Sequence, residues 1–317
     1  MNKEIKPPKT SFQLFNTDGG ENKSNGIEIP SIALPKGGGA IKGIDEKFSV
    51  NAVNGTASFS IPLPFSPGRG ASLTLSLNYN SGAGNGIFGL GWKLSLPSIK
   101  RKTDKELPKY TDSDTCLFSE ADDLVPQLKK EDGGALVLDE NGNCMVQEND
   151  SSDGFFTIRL YRPRIEGLFA RIERWTHKAT GEIKWRVITR ENITTLFGWS
   201  VASRIADPQN ENKIFEWLPE FVFDDKGNCS HYVYKKEDGQ GLDASLPHNR
   251  NRTANGNINY TNLYLEKVLY GNKTPYKKIG AAYPAETDYL FQIVFDYGEY
   301  DVNAPYAKIK DWDCRKD

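Results

Sequence analysis

Alternation at a period of two residues constrains this chain more than any other feature of its sequence. Ala57, Phe59, Ile61 and Leu63 are separated by Ser58, Ser60 and Pro62, and Leu73, Leu75, Leu77 and Tyr79 by Thr74, Ser76 and Asn78. Successive side chains of a strand point to opposite faces, so each run offers one apolar and one wet face; a helix would repeat every 3.6 residues. Between the two runs lies the turn Ser66-Pro67-Gly68-Arg69-Gly70. After a Gly-rich stretch, Ser81 to Gly91, the residues Trp92, Leu94 and Leu96 alternate again until Pro97 stops them. Three short strands at this spacing predict a meander.

Further strands are expected at Phe156–Tyr161, Lys184–Thr189, Thr194–Trp199, Glu220–Phe223, His231–Lys235 and Tyr289–Tyr297, while Asn262–Tyr270 fits a strand or a short helix. Helical period is otherwise almost absent, and the fold class is all-β, built of antiparallel hairpins and meanders. One six-residue segment occurs twice, as Asp139-Glu140-Asn141-Gly142-Asn143-Cys144 and Asp224-Asp225-Lys226-Gly227-Asn228-Cys229. An Asp that opens a turn, with a Gly free to take positive φ near its end, is hairpin chemistry. The same turn used twice implies a sheet built by repetition, each hairpin stacking on the next. Residues 1–45 are polar and punctuated by Gly and Pro, and read as an extended or disordered lead-in; residues 46–317 read as the β domain.

Composition removes several function classes. Apolar residues make up only 38% of the 317, but Trp, Tyr and Phe are spread along most of the chain and supply a core without Leu-rich helices. Forty basic and forty-two acidic residues leave a net charge near −2, which gives no electrostatic reason for a nucleic-acid or anionic-membrane partner. No apolar stretch reaches the roughly 18 residues of a spanning helix, so no direct membrane insertion is expected. Met1–Thr10 has no apolar core of a secretory signal. Cys116, Cys144, Cys229 and Cys314 form no C-x-x-C pair and read as free thiols of a chain folded in the cytosol.

Candidate chemistry is sparse. Gly84-Asn85-Gly86-Ile87-Phe88-Gly89 satisfies G-x-G-x-x-G, with Asp104 about 20 residues on, but a dinucleotide site needs a helix N-terminus after the glycines. Here Trp92-Lys93-Leu94-Ser95-Leu96-Pro97 follows, a strand pattern, so a Gly-rich hairpin is expected in place of a cofactor loop. Of the three histidines, His177, His231 and His248, only His231 has a Cys two residues away, Cys229; no second ligand pair with zinc spacing accompanies them. There is no G-x-S-x-G elbow, no Walker-type loop and nothing that singles out a glycosidase carboxylate pair. Trp175, Trp185, Trp199 and Trp217 would suit stacking on a sugar ring, although alternation places Trp185 and Trp199 in a sheet core. No catalytic, cofactor-binding or metal-ligating residue is expected.

Longer segments carry a resemblance. Gly37-Gly38-Gly39-Ala40-Ile41-Lys42-Gly43-Ile44-Asp45-Glu46-Lys47-Phe48, and the block from Ser66 through Leu73-Thr74-Leu75-Ser76-Leu77-Asn78-Tyr79 to Gly89-Leu90-Gly91-Trp92, resemble the N-terminal domain of the Salmonella plasmid virulence protein B (SpvB) family. That domain is shared with the B component of insecticidal Tc toxin complexes. Tyr161-Arg162-Pro163-Arg164-Ile165-Glu166-Gly167, Arg204-Ile205-Ala206-Asp207-Pro208 with Trp217, Gly227-Asn228 with Tyr232 and Tyr234, and Tyr270-Gly271-Asn272-Lys273-Thr274-Pro275 extend the resemblance over about residues 30–317. The resemblance implies part of an Rhs/YD-repeat-like β-shell, closed with a C component around a toxic cargo and docked on a pore-forming A component through regions this chain lacks. It also implies release from the bacterial cytoplasm to the outside. The ADP-ribosyltransferase that follows this domain in the virulence protein uses a Glu-x-Glu motif, and none occurs here. The expected role is a non-catalytic scaffold segment; the alternative is a stand-alone carbohydrate- or receptor-binding module.

Overall fold

The structure is a computed structural model, and it describes residues 47–311 except 51–54, 71–73, 112, 120–121, 238, 244, 248, 250–252, 255–256, 259, 278 and 306. The expected lead-in over 1–45, His248 and Cys314 lie outside the described residues. The described residues form antiparallel strands joined by turns, with only short 3-10 turns such as Val201–Ser203 and Glu286–Asp288 between them.

The meander is present. Strands β1 (Lys47–Val50), β2 (Ala57–Pro62), β3 (Ser76–Asn80) and β6 (Trp92–Leu94) lie side by side in that order. Phe59 stands opposite Tyr79, and Tyr79 opposite Trp92, so the apolar residues share one face. On the other face Ser60 Oγ donates to Asn78 Oδ1 at 2.6 Å, and Ser76 Oγ lies 3.0 Å from Ser95 Oγ. Between β3 and β6 the glycines make a two-residue ribbon, β4 (Asn85–Gly86) with β5 (Gly89–Leu90). Gly86 lies against the Trp92 carbonyl, where any Cβ would collide, and Gly89 sits at φ +102°. A strand follows these glycines, so the expected hairpin is what forms.

The remaining strands, apart from one short ribbon, belong to one sheet. In chain order they are β7 (Ile99–Arg101), β8 (Cys116–Phe118), β9 (Asp122–Pro126), β10 (Glu148–Asp150), β11 (Phe156–Pro163), β12 (Arg171–His177), β13 (Ile183–Ile188) and β14 (Thr194–Phe197). There follow β15 (Arg204–Asp207), β16 (Asn210–Trp217), β17 (Pro219–Phe223), β18 (Cys229–Lys236), the ribbon β19 (Thr253–Ala254) with β20 (Asn257–Ile258), β21 (Leu263–Asn272) and β22 (Tyr289–Val294). The spatial order is β15-β16-β7-β8-β9-β11-β12-β13-β14-β17-β18-β21-β22, with β10 also on β11 and the ribbon apart. The segment 262–270, open to strand or helix from its sequence, is strand β21.

One half of this sheet rolls up. Ile99, Cys116, Leu124, Tyr161, Ile172, Trp185, Val187, Phe197, Ile214 and Trp217, from eight different strands, fill a single interior. The roll is tied where β16 crosses back: Trp217 Nε1 donates to Ile183 O at 2.8 Å, and Gly198 N to Leu218 O at 2.9 Å. Gly198, at φ +56°, rests on the Trp217 indole and leaves no space for a side chain. The other half, β17, β18, β21 and β22, stays open and is covered on its two faces by different things. The loop bearing Tyr276 and Tyr283 covers Leu196, Phe221 and Leu269, while the meander lays Leu63, Leu75, Leu94 and Leu96 over Tyr232, Leu265 and Val268.

The repeated turn recurs bond for bond. Asp139 Oδ1 accepts from Asn141 N (2.9 Å) and Asn143 N (2.8 Å), and Asp224 Oδ1 from Lys226 N (3.0 Å) and Asn228 N (2.8 Å). Gly142 and Gly227 take φ +80° and +85°. The settings differ, however, which corrects the expectation of stacked repeats. The second copy joins β17 to β18 inside the sheet, whereas the first belongs to a knob that projects between β9 and β10. That knob has a shorter period, of eight residues. Lys129 N donates to Met145 O (2.8 Å), Met145 N to Val137 O (2.8 Å) and Val137 N to Lys129 O (3.0 Å), closing a triangle. The bridges Leu128–Val146, Lys130–Leu136 and Leu138–Cys144 repeat the same threefold relation.

Candidate binding face and open edge

The residues singled out for chemistry are dispersed. Cys229 and His231 do share one strand face, but the Cys229 Sγ lies 3.8 Å from Tyr289 Oη, and the His231 ring packs on Tyr283 and Phe221 with centroids 5.0 and 5.9 Å apart. Burial pushes the His231 imidazole below its ordinary value, against the weaker pull of Glu220. Burial also pushes the Cys229 and Cys116 thiols up to about 11. Cys116, Cys144 and Cys229 are free thiols, the first and third buried and Cys144 exposed. His177 lies elsewhere, stacked beside Phe155. Among the described residues no three His, Cys, Asp or Glu side chains converge as a metal cage would require.

The four middle tryptophans divide by the register of their strands. Trp185 opposes Phe197, faces the interior of the roll and is fully buried, in edge contact with Trp217 at 5.9 Å. Trp175 opposes Lys184 and faces outward, half-buried, 5.6 Å from the half-buried Trp199. Trp199 leaves the interior of the roll, because β14 ends at Phe197 and the left-handed Gly198 redirects the chain, and it packs half-buried against the second core cluster, that of Leu196 and Phe221.

This outer face combines rings with cations. Lys184 Nζ lies 4.0 Å from the Trp199 ring centroid and 4.1 Å from that of Phe156, and the Arg186 guanidinium lies 5.0 Å from the Trp175 ring. Burial lowers the Lys184 pKa, partly offset by Glu182. At the centre is Glu173, fully buried though charged, which accepts from Trp175 Nε1 (2.9 Å), Arg186 Nε (2.7 Å) and Arg171 Nε (2.5 Å). Four acceptor sites on the carboxylate meet three donor groups, which is how a sheet tolerates a buried charge. One face of each outward indole is thus already occupied by a cation of the same sheet. Sugar stacking has correspondingly less ring surface to use.

The sheet's final strand is of another kind. β22 pairs with β21 through Lys267–Val294, Leu269–Gln292 and Asn272–Tyr289, and no described strand lies on its other side. Leu290, Phe291 and Val294 are 53%, 37% and 37% exposed. An apolar strand with an unpaired row of N–H and C=O groups is a template for another strand. Sequence pattern located this strand but could not say that it stands at an edge, since pairing order is a property of the fold.

Residues 51–317 match the family model described as SpvB, Salmonella virulence plasmid 65kDa B protein. The mono(ADP-ribosyl)transferase SpvB of Salmonella typhimurium (strain 14028s / SGSC 2262) is 34% identical over 288 residues, which are 88% of this chain and 46% of that protein. The chain thus spans less than half the length of this curated relative. The solved N-terminal domain of the effector protein SpvB from Salmonella typhimurium strain LT2 superposes with a TM-score of 0.66 at 33% identity, over 80% of this chain and 78% of that one. A chain of the Photorhabdus luminescens Tc holotoxin pore superposes with a TM-score of 0.72 at 33% identity, over 92% of this chain and 13% of that one.

Proposed function

The chain belongs to the SpvB family, and from that membership we propose that it is a non-catalytic scaffold segment of a bacterial toxin assembly, one stretch of the wall of a strand-built shell. The open, apolar edge of β22 carries this reading: a finished binding module covers or charges such an edge, whereas a wall continues from it. The rolled half supplies rigidity and not a chamber, because Trp185, Trp217, Phe197 and Ile214 fill it. Partners are then the polypeptides that continue the sheet, a C-type component and its cargo, and a pore-forming component reached through other regions. Transferase chemistry is assigned elsewhere, since no Glu-x-Glu pair occurs in these residues. The protein is made in the bacterial cytoplasm and acts after release to the outside. A stand-alone sugar-binding role has the half-buried Trp175–Trp199 pair in its favour, but Lys184 and Arg186 already cover one face of each ring.

The test is assembly. Expressed alone, the chain should form dimers or larger species by light scattering. Supplied with the sheet-continuing part of a Tc-toxin relative, it should enter one defined complex. A monomer that persists at high concentration, melts sharply and ignores that partner overturns the reading. Incubation with labelled NAD and actin should leave actin unlabelled, and specific labelling would refute the non-catalytic assignment.

A further inference from the structure

The threefold knob, residues 127–147, plays no part in the proposal above and is built unlike the rest of the chain. Leu128, Leu136, Leu138 and Met145 are between 40% and 55% exposed on it, and nothing among the described residues covers them. At its base, where the knob leaves β9 and rejoins β10, is a groove of about 1000 Å³. Val125, Pro126, Leu128 and Leu136 give the groove apolar walls, and Lys129, Lys130 and Arg162 bring three cations to it. Its one carboxylate, Glu148, is engaged by Arg159, whose Nε donates to Glu148 Oε1 at 2.5 Å. Among its lining residues the groove thus joins an apolar floor to three cations whose one carboxylate neighbour is already engaged, while the acidic turn residues Glu131, Asp132, Asp139 and Glu140 of the knob stand outside that lining.

We propose that this groove binds an extended, acidic and apolar polypeptide segment of a partner protein. Charge complementarity selects acidic residues, and the leucine-lined wall selects apolar ones between them. The triangle of hydrogen bonds through Lys129, Val137 and Met145 uses the backbone of that layer within the knob itself. Recognition therefore falls to side chains and not to strand addition. Nucleic acid is disfavoured because no aromatic ring lines the groove to stack a base. Anionic membrane is disfavoured because three cations fall short of the roughly four to eight of a lipid-binding basic cluster.

The experiment measures fluorescence anisotropy of a labelled eight-residue peptide of alternating Asp and Leu against the full chain. The proposal expects saturable binding that weakens with added salt. The triple variant Lys129→Glu, Lys130→Glu, Arg162→Glu should weaken it about tenfold, the scale of three exposed ion pairs lost together. Leu136→Ser should weaken it as well, with an unchanged thermal midpoint showing that the knob is intact. A Lys–Leu peptide and an Asp–Ser peptide should each bind more weakly. No binding, equal binding of the Lys–Leu peptide, indifference to charge reversal, or preference for a single-stranded oligonucleotide or for phosphatidylserine vesicles would each overturn the proposal.

Discussion

The two ends of the large sheet face the same difficulty, a row of backbone groups with no neighbouring strand, and they meet it in opposite ways. Near the β15 end, β16 and the residue that follows it bond across to β13 and β14, Trp217 Nε1 donating to Ile183 O and Gly198 N to Leu218 O. The edge strand β15 is thereby backed by a closed core of large rings, to which its neighbour β16 contributes Ile214 and Trp217. At the β22 end no described strand folds back, and Leu290, Phe291 and Val294 remain partly exposed at the edge. Closure yields a rigid body, while an open edge yields a joint. A wall segment needs both, one to hold its shape and the other to continue it.

Mutations should sharpen the contrast. Trp217→Ala empties the centre of the rolled half and also removes its tie to Ile183, so a loss of about 3–5 kcal/mol is expected from urea denaturation. A loss below about 1 kcal/mol would mean that the roll is not the rigid half. Glu173→Ala leaves the guanidinium of Arg186 and the indole N–H of Trp175 without their acceptor, and about 1–3 kcal/mol should follow. The double variant with Arg186→Met should recover part of that loss in a double-mutant cycle; purely additive losses would argue against the pairing.

Acid should act on the open half through His231. Because burial holds its folded pKa below the ordinary value, the unfolded chain takes up the proton first as pH falls through about 6.5. Stability therefore declines from there towards the lower folded pKa, and the group contributes no such loss above that window. Thermal midpoints at pH 7.5 and 5.5 should differ less in His231→Phe than in the parent chain, and an equal difference would exclude His231 as the source. Smallest in stability is Leu290→Lys on β22, expected to change it by under about 0.5 kcal/mol while reducing self-association. If association is unaffected, the joint lies elsewhere.

Much of this plan was legible in the residues, and what was not has physical causes. Strands with one apolar face, such as β2, β3 and β13, announce themselves by alternation. β12 does not, because Glu173 and Arg174 are both buried in it and read as solvent-facing charges until their partners on neighbouring strands are known. β16 begins Asn-Glu-Asn-Lys, exposed residues of an irregular hairpin with β15, and only Ile214 and Trp217 reach the core. The knob escaped for a different reason. Its segments are too short to show alternation, and its period of eight lies in the spacing of Leu128, Leu136 and Cys144 and in the acidic turns between them. Alternation assigned Trp185 to the core, where it is fully buried, but could not foresee that Gly198 turns Trp199 away from the roll onto a different cluster. Sequence pattern speaks for local pairing, while edges, closures and buried charge pairs depend on which strands become neighbours.

Amide hydrogen exchange, followed by mass spectrometry on the isolated chain and on its complex with the sheet-continuing part of a Tc-toxin relative, tests the central claim most directly. In the isolated chain, kept monomeric by dilution, peptides covering β16 and β14 should exchange slowly, and those covering β22 quickly at the amides turned away from β21. In the complex, β22 should become as slow as β16 while β16 stays unchanged. Fast β22 exchange that persists in a formed complex, or slow β22 exchange in an isolated monomer, would contradict the account of this chain as a wall segment joined through that edge.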